Sequence, residues 1–273
     1  MPWLNFLVAG AAGVVAMRAA FQRGDVDEAA RQGALAGPAV VERALSSHDR
    51  ATQLAAIAAA PLVEDRAELL DALGQVAAGP DRRTAIPAAS AARAIARELT
   101  SRSPPDDIAR DDIATWRRLW AQLAMRGDRW IELRTLALET AAALDPGGIA
   151  VDLGDALRDP DPAFRSTVVS IVPLPAPAAL RAPLAAAVVK DTDREVALGA
   201  AQTLCLSLDD AAPAPILDAL GPEGLARIRA LVARPRTPIA AAVRDAARCL
   251  AADGSAESAA AVRALDGKRR RRH

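Results

Sequence analysis

The sequence is poor in the side chains from which most active sites are built. It has no tyrosine, only two histidines and two cysteines among 273 residues, and 3% aromatic residues. His273 is the last residue of the sequence and His48 lies in a predicted turn, so neither suggests a general base or a ligand. The two cysteines are too few for a disulfide framework and lack metal-ligand spacing. We therefore predict no catalytic residue, no metal and no cofactor.

The sequence also lacks a net charge. Thirty-four acidic residues balance 34 basic ones, so no overall field attracts nucleic acid or anionic lipid. Nucleic acid is therefore not the expected partner.

Hydrophobic residues are abundant, at 52%, and are mostly alanine, leucine, valine and isoleucine. Alanine and leucine are the strongest helix formers, and small side chains allow close helix packing. This composition predicts an all-α fold.

An internal repeat organises most of the chain. Similar apolar runs end at Asp49, Asp81, Asp128, Asp161 and Asp193, and Thr237 stands at the end of a sixth. Three of the four intervals between successive aspartates agree to within one position, and the interval from Asp81 to Asp128 is longer. The long interval contains an insertion around Thr100–Asp112, whose Pro104-Pro105 pair is incompatible with a helix interior. Each repeat is predicted to be a helix, a turn whose aspartate caps the next helix, and a second helix.

The predicted second helices are Arg50–Ala59, Ala85–Leu99, Trp130–Leu144, Ala163–Val172, Glu195–Leu208 and Ile239–Ala251. Because neither helix of a pair can bury its apolar side alone, successive pairs are expected to stack.

One turn has a family resemblance. The residues Asp159-Pro160-Asp161-Pro162-Ala163-Phe164-Arg165, which follow Leu153–Leu157, resemble the inter-helix turn of bacterial HEAT repeats. The resemblance implies a right-handed α-α superhelix of the HEAT or armadillo type, with about six helix pairs. In that family the turn aspartate and a second-helix arginine form a ladder between repeats. Arg165 matches the arginine position, whereas the equivalent sites hold Gln53, Ala85, Glu132 and Ala197. The expected solenoid spans residues 38–266, between a lead-in at 23–37 and a basic disordered tail at 267–273.

The cysteines occupy equivalent positions of adjacent second helices. Cys205 follows Asp193 at the same interval at which Cys249 follows Thr237. Stacked helices are usually about 8–10 Å apart, which exceeds the Cα separation of a disulfide. We therefore predict two free, buried thiols.

Residues 1–22 form a separate hydrophobic segment. Pro2–Met17 carries no charge and is apolar on nearly all sides, which favours a membrane anchor or an export signal. This uninterrupted stretch is shorter than the roughly 20 residues of a simple membrane span. A buried terminal helix in a cytoplasmic protein is the alternative. Membrane association, if it occurs, is expected through residues 2–21.

Three tryptophans and two arginine pairs are candidate binding residues: Trp116, Trp120, Trp130, Arg93, Arg97, Arg244 and Arg248. The tryptophans either fill the irregular third repeat or form an aromatic cleft. Each arginine pair has i, i+4 spacing on a second helix, the type of helix that lines the concave surface of HEAT solenoids. These arginines either form a solvated stripe or contact acidic segments of a partner.

These observations predict a non-catalytic scaffold that binds a protein or peptide on the concave surface. An enzyme of the HEAT-like DNA glycosylase or bilin lyase type, or a purely structural spacer, is the alternative.

Overall fold

The prediction of an all-α fold is confirmed. The computed structural model describes residues 3–101, 110–209, 212–233 and 240–270, and within them it contains 15 α-helices and no β-strand. The helices are α1 (Trp3–Gln22), α2 (Val26–Ala36), α3 (Pro38–Leu45), α4 (Arg50–Ala59), α5 (Leu69–Ala78), α6 (Arg82–Ser101), α7 (Arg110–Ala124), α8 (Ile131–Leu144), α9 (Ala150–Ala156), α10 (Pro162–Ile171), α11 (Ala178–Lys190), α12 (Arg194–Leu206), α13 (Ala214–Ala233), α14 (Ala240–Asp253) and α15 (Ala256–Arg270). The predicted second helices correspond to α4, α6, α8, α10, α12 and α14.

The chain divides into an N-terminal unit, Met1–Asp145, and a C-terminal unit, Pro146–His273. In the N-terminal unit the first helices α3, α5 and α7 pack in succession, and so do the second helices α4, α6 and α8. In the C-terminal unit α9, α11, α13 and α15 form one layer, and α10, α12 and α14 form the other. Within each unit this packing is compatible with the predicted superhelix.

Helices α1 and α2 form a further pair at the start of the N-terminal unit. Helix α1 packs on α2, α3 and α4, and Met17 and Ala20 are fully buried. A Cβ atom on Gly33 of α2 would overlap the Cβ of Ala59 and lie 2.9 Å from Met17 Sδ. Helices α1 and α2 therefore pack against the helix pair that begins at Pro38, where the sequence pattern places the start of the stack.

Among the described residues, no helix is both long enough and apolar enough to cross a membrane.

Aspartates cap most of the second helices, as predicted. The side chains of Asp49 and Asp161 accept hydrogen bonds from the backbone N–H groups of Thr52 (2.9 Å) and Ala163 (2.8 Å). Asp193 accepts from the N–H groups of both Glu195 and Val196.

The side chain of Asp81 also accepts a hydrogen bond from a first-turn N–H group of α6, that of Arg83, at 3.0 Å. The prediction is wrong at Asp128, because Trp130 occupies the cap position of α8 and Asp128 instead pairs with Arg126. Thr237 and the Pro104-Pro105 pair lie outside the described residues.

Arg165 forms one buried contact between repeats. Its guanidinium donates to both carboxylate oxygens of Asp191, at 2.7 and 2.8 Å, and to the carbonyl of Asp159 at 2.7 Å. The side chains of Arg165 and Asp191 are 12% and 5% exposed. Burial alone would raise the pKa of Asp191, but hydrogen bonds from Arg165 and from the Asp193 N–H hold this pKa below its ordinary value. The turn before α10 is thereby joined to the turn before α12.

Other repeats use the arginine that directly follows the turn aspartate. Arg50 pairs with Asp81 (3.4 Å) and Arg82 with Glu132 (2.7 Å), in each case linking successive second helices or their turns. Arg194 donates to the carbonyl of Leu231 at 3.0 Å. The missing arginines at the expected ladder positions are therefore replaced from a different position of the repeat.

The prediction of free thiols is wrong. Cys205 of α12 and Cys249 of α14 form a disulfide, and their Cα atoms are 5.2 Å apart. Gly199, Ala200 and Ala201 precede Cys205 on α12, and small side chains at a contact bring helix axes closer than average. The expected spacing was an average, and this interface is tighter than the average.

Helix α15 extends to Arg270, into the segment predicted to be a disordered tail. Arginine is a good helix former, so the basic composition alone did not end the helix.

Candidate functional site

The structure places two of the three candidate tryptophans inside the N-terminal unit. Trp116 is 8% exposed and Trp120 is fully buried, and a Cβ atom on Gly74 of α5 would lie 3.8 Å from Trp120 Cζ2. Trp130 is half-buried at the start of α8. Because Trp116 and Trp120 fill space between helices, neither of them lines an aromatic cleft.

Arg93 and Arg97 of α6 lie beside the same acidic residue. Glu139 of α8 accepts a hydrogen bond from Arg93 Nη1 at 2.5 Å and lies 3.5 Å from Arg97 Nη2. The exposed side of α4, α6 and α8 is called here the second-helix face of the N-terminal unit. Its arginine pair is thus engaged across two helices, and a partner would have to compete with Glu139.

Arg244 and Arg248 are exposed on α14 in the C-terminal unit. Between them, Asp245 accepts a hydrogen bond from Gln202 Nε2 of α12 at 2.8 Å. Arg244 and Arg248 therefore lie on the same layer of helices as a groove that the sequence did not reveal.

This groove, called the α10–α12 groove, is about 530 Å³ in volume and open to solvent. Its lining includes the apolar residues Val169, Val172, Leu174 and Leu206. Val169 and Val172 are nearly buried, whereas Leu174 is 56% exposed. Gly199 keeps the groove open, since a Cβ atom there would lie 3.1 Å from Val169 Cγ1.

Polar groups accompany the apolar lining. Ser166 and Ser170 lie on the α10 side, Glu195 and Gln202 lie on the α12 side, and Ala242 of α14 completes the lining. The bond from Gln202 Nε2 to Asp245 fixes the orientation of the amide, so that Oε1 is the remaining acceptor. The groove can therefore hold apolar side chains and a polar backbone together.

A larger groove of about 610 Å³ lies between α9 and α11, on the other layer of the C-terminal unit. Arg158 and Lys190 are on its rim, and its lining also includes Asp159, Arg165 and Asp191. Because Arg165 already occupies both carboxylate oxygens of Asp191, the acidic group beside it is committed to the fold. We place the candidate site in the α10–α12 groove.

Sequence reasoning missed the residues of this groove. Val169 and Val172 have the spacing of ordinary core residues, and Glu195 has that of a first-turn acid. A usable signal was Gly199, a glycine in the interior of a second helix where alanine would be favoured by about 1 kcal/mol.

Comparisons with known proteins extend only to the fold. No known family matches the chain, and no curated protein is similar to it in sequence. An engineered protein whose crystal structure was determined by a structural genomics consortium is similar over 78% of this chain and 94% of its own, with 19% sequence identity and a TM-score of 0.50. This likeness supports the all-α architecture alone.

Proposed function

We propose that the protein is a non-catalytic interaction module that binds a peptide or protein segment in the α10–α12 groove. One observation carries the proposal: an open groove with an apolar lining and polar residues lies between two second helices. Binding sites commonly combine a concave apolar surface with a few polar groups that set orientation.

The surroundings of the groove support a macromolecular partner rather than a small molecule. The groove is open, and Arg244 and Arg248 are exposed on the neighbouring helix α14. Arginine is favoured at interfaces because its planar guanidinium pairs with carboxylates. A partner segment that occupies the groove and continues over α14 would contact both the apolar lining of the groove and the two arginines.

We also propose that the helix pairs are of the HEAT type. The support is the DPDPAFR turn, in which Asp161 caps α10 and Arg165 joins Asp191 of the next repeat. Such stacked pairs commonly serve as binding scaffolds.

For localisation we propose an oxidising compartment, reached by export. The Cys205–Cys249 disulfide supports this proposal because disulfides persist mainly outside reducing cytosol. Fractionation of the host, with alkylation of free thiols before lysis, tests it. Recovery of the protein in the cytoplasm with both thiols alkylated would overturn it.

Site-specific photo-cross-linking tests the binding face. A photoreactive residue would be placed at Ser170 in the groove, at Ser90 on the second-helix face of the N-terminal unit, or at Gln122 on α7, a first helix. All three positions are exposed, so the substitutions should not disturb packing.

We expect one protein to cross-link from position 170 and not from position 122. Cross-linking of that protein from position 90 as well would show that both second-helix faces take part. Equal cross-linking from all three positions, or none from position 170, would contradict the proposal.

A further inference from the structure

We infer that the α10–α12 groove selects an extended segment with a basic residue and a large apolar residue about five positions apart. This inference rests on the proposed function and adds the chemistry of the partner. It comes from the different character of the two ends of the groove.

The direction of the groove follows from two contacts. At one end Arg165, near the start of α10, binds Asp191, just before α12. At the other end the Ala176 N–H, after α10, donates to Ser207 Oγ, after α12, at 2.7 Å. The two helices therefore run in the same direction. One end of the groove lies at their N-termini and the other end lies at their C-termini.

The end of the groove at the N-termini of α10 and α12 is acidic. Glu195, in the first turn of α12, is exposed, and its carboxylate has no ion-pair partner in the described part of the chain. The comparable first-turn acid of α8, Glu132, is neutralised by Arg82 at 2.7 Å. An unpaired carboxylate at the mouth of a groove favours a basic residue of the partner.

The end of the groove at the C-termini of α10 and α12 is apolar. Val172, the exposed Leu174 and Leu206 line it, and Leu206 is the last residue of α12. Covering Leu174 with an apolar side chain would remove its exposed surface from water. Midway, Gln202 Oε1 can accept a backbone N–H from an extended segment.

The length of the groove sets the spacing. Glu195 and Leu206 lie about three turns apart on one helix, and the helix rise of about 1.5 Å per residue separates them by about 16 Å. An extended chain covers about 3.3–3.6 Å per residue, so two residues that lie about five positions apart span this distance. A basic residue and an apolar residue at the two ends of such a segment meet Glu195 and Leu174 respectively.

Selection from random dodecapeptides displayed on phage tests the inference. The wild-type protein should enrich sequences with Arg or Lys about five positions from Leu, Ile, Phe or Met. The variant Glu195→Lys should enrich Asp or Glu at the basic position while keeping the apolar position. Glu132→Gln, at the matched site on α8, should give the wild-type pattern.

Synthetic peptides then quantify the effect by fluorescence anisotropy. A selected peptide and its Arg→Glu counterpart should differ by about fivefold in Kd on the wild-type protein, the size expected for an exposed ion pair. The preference should reverse on Glu195→Lys and disappear on Glu195→Gln. Ser170→Trp, which fills the groove from an exposed position, should weaken both peptides, whereas Gln122→Trp should weaken neither.

The outcomes separate the inference from the function on which it rests. Peptides that fail to bind Ser170→Trp, while the preference for a basic residue is the same in Glu195→Lys as in the wild type, would overturn the inference and leave groove binding in place. Enriched peptides that bind Ser170→Trp normally, or the absence of any enrichment, would overturn both.

Discussion

Both units of the chain are stacks of helix pairs, but they join their second helices by different means. In the N-terminal unit, ion pairs such as Arg82–Glu132 and Arg93–Glu139 connect α6 with α8. In the C-terminal unit, a disulfide connects α12 with α14, and the buried Arg165–Asp191 pair connects the turns. Partly exposed ion pairs contribute little to stability, whereas a disulfide and a buried pair have large effects when broken.

The cores of the two units also differ in their tryptophan content. All four tryptophans belong to the N-terminal unit, and Trp120 is fully buried there. The C-terminal unit has no tryptophan and its second helices carry small residues such as Gly199 and Ala242, which line the groove. The C-terminal unit also buries large apolar side chains, Phe164 among them, but a disulfide joins two of its second helices beside the open groove.

The largest effect that would test this contrast is loss of the disulfide. The double variant Cys205→Ala/Cys249→Ala should lose about 4 kcal/mol of unfolding free energy, because the bond closes a loop with a sequence separation of 44 residues. Urea denaturation measures the loss, and hydrogen exchange locates it in the C-terminal unit. Wild-type protein in reductant is the control and should match the variant. Unchanged stability, or an equal loss of protection in both units, would contradict the contrast.

Arg165→Ala should have the next largest effect, a loss of about 3 kcal/mol, since it leaves the buried Asp191 carboxylate without its charged partner. The matched variant Arg93→Ala removes the corresponding pair of the N-terminal unit and should cost about 1 kcal/mol or less. Thermal and urea denaturation would compare the two. Equal losses would remove the distinction between the units.

The same pair predicts a pH dependence. The pKa of Asp191 is lowered in the folded state, so its contribution is complete above the ordinary carboxyl pKa of 3.8 and is lost as the pH falls through the lowered value. The stability difference between wild type and Arg165→Ala should therefore be largest near neutrality and shrink on acidification, because without Arg165 the burial of Asp191 raises its pKa and the carboxyl group of the variant takes up a proton first. Urea titrations across this range measure it, and a difference that grows on acidification would refute the assignment.

In the N-terminal unit, the packing of α1 against α2 gives a smaller prediction. Gly33→Ala should destabilise by about 2 kcal/mol, because the added methyl group would overlap Ala59 and crowd Met17. Gly127→Ala is the control, since its added methyl group has no neighbour within 4 Å. Thermal midpoints that agree for the two variants would indicate that α2 does not pack against α1 and α4 in this way.

The smallest effect distinguishes two aspartates that have the same place in the repeat. Asp161→Ala should cost about 1 kcal/mol by loss of the α10 cap. Asp128→Ala should leave the thermal midpoint unchanged, because Asp128 caps no helix. A loss confined to Asp128→Ala would reverse the turn assignment.

Helices and caps were accessible to sequence reasoning because their signals are local. The run of alanine and leucine after Asp49 predicted α4 with the observed bounds, Arg50–Ala59. The prediction failed at Asp128 because α8 begins at Ile131, so Asp128 lies two residues before the cap position that Trp130 occupies. The dipeptide Asp-Arg at positions 49–50, 81–82, 128–129 and 193–194 was an unused signal for the contacts between repeats.

The groove and the disulfide were not accessible in this way. Both depend on the distance between α12 and its neighbours, which is set by how small residues such as Gly199 and Ala200 pack in three dimensions. The burial of Trp116 and Trp120 was not accessible either, because sequence spacing alone does not determine it.

The disulfide also gives the molecule a mechanical asymmetry. Helix α13 and the first residues of α14 lie between Cys205 and Cys249 in the chain. When the protein is pulled by its two ends, tension passes through the sulfur–sulfur bond and leaves this stretch unloaded. The enclosed residues therefore cannot add to the extended length until the bond is reduced, even after every surrounding helix has been unravelled.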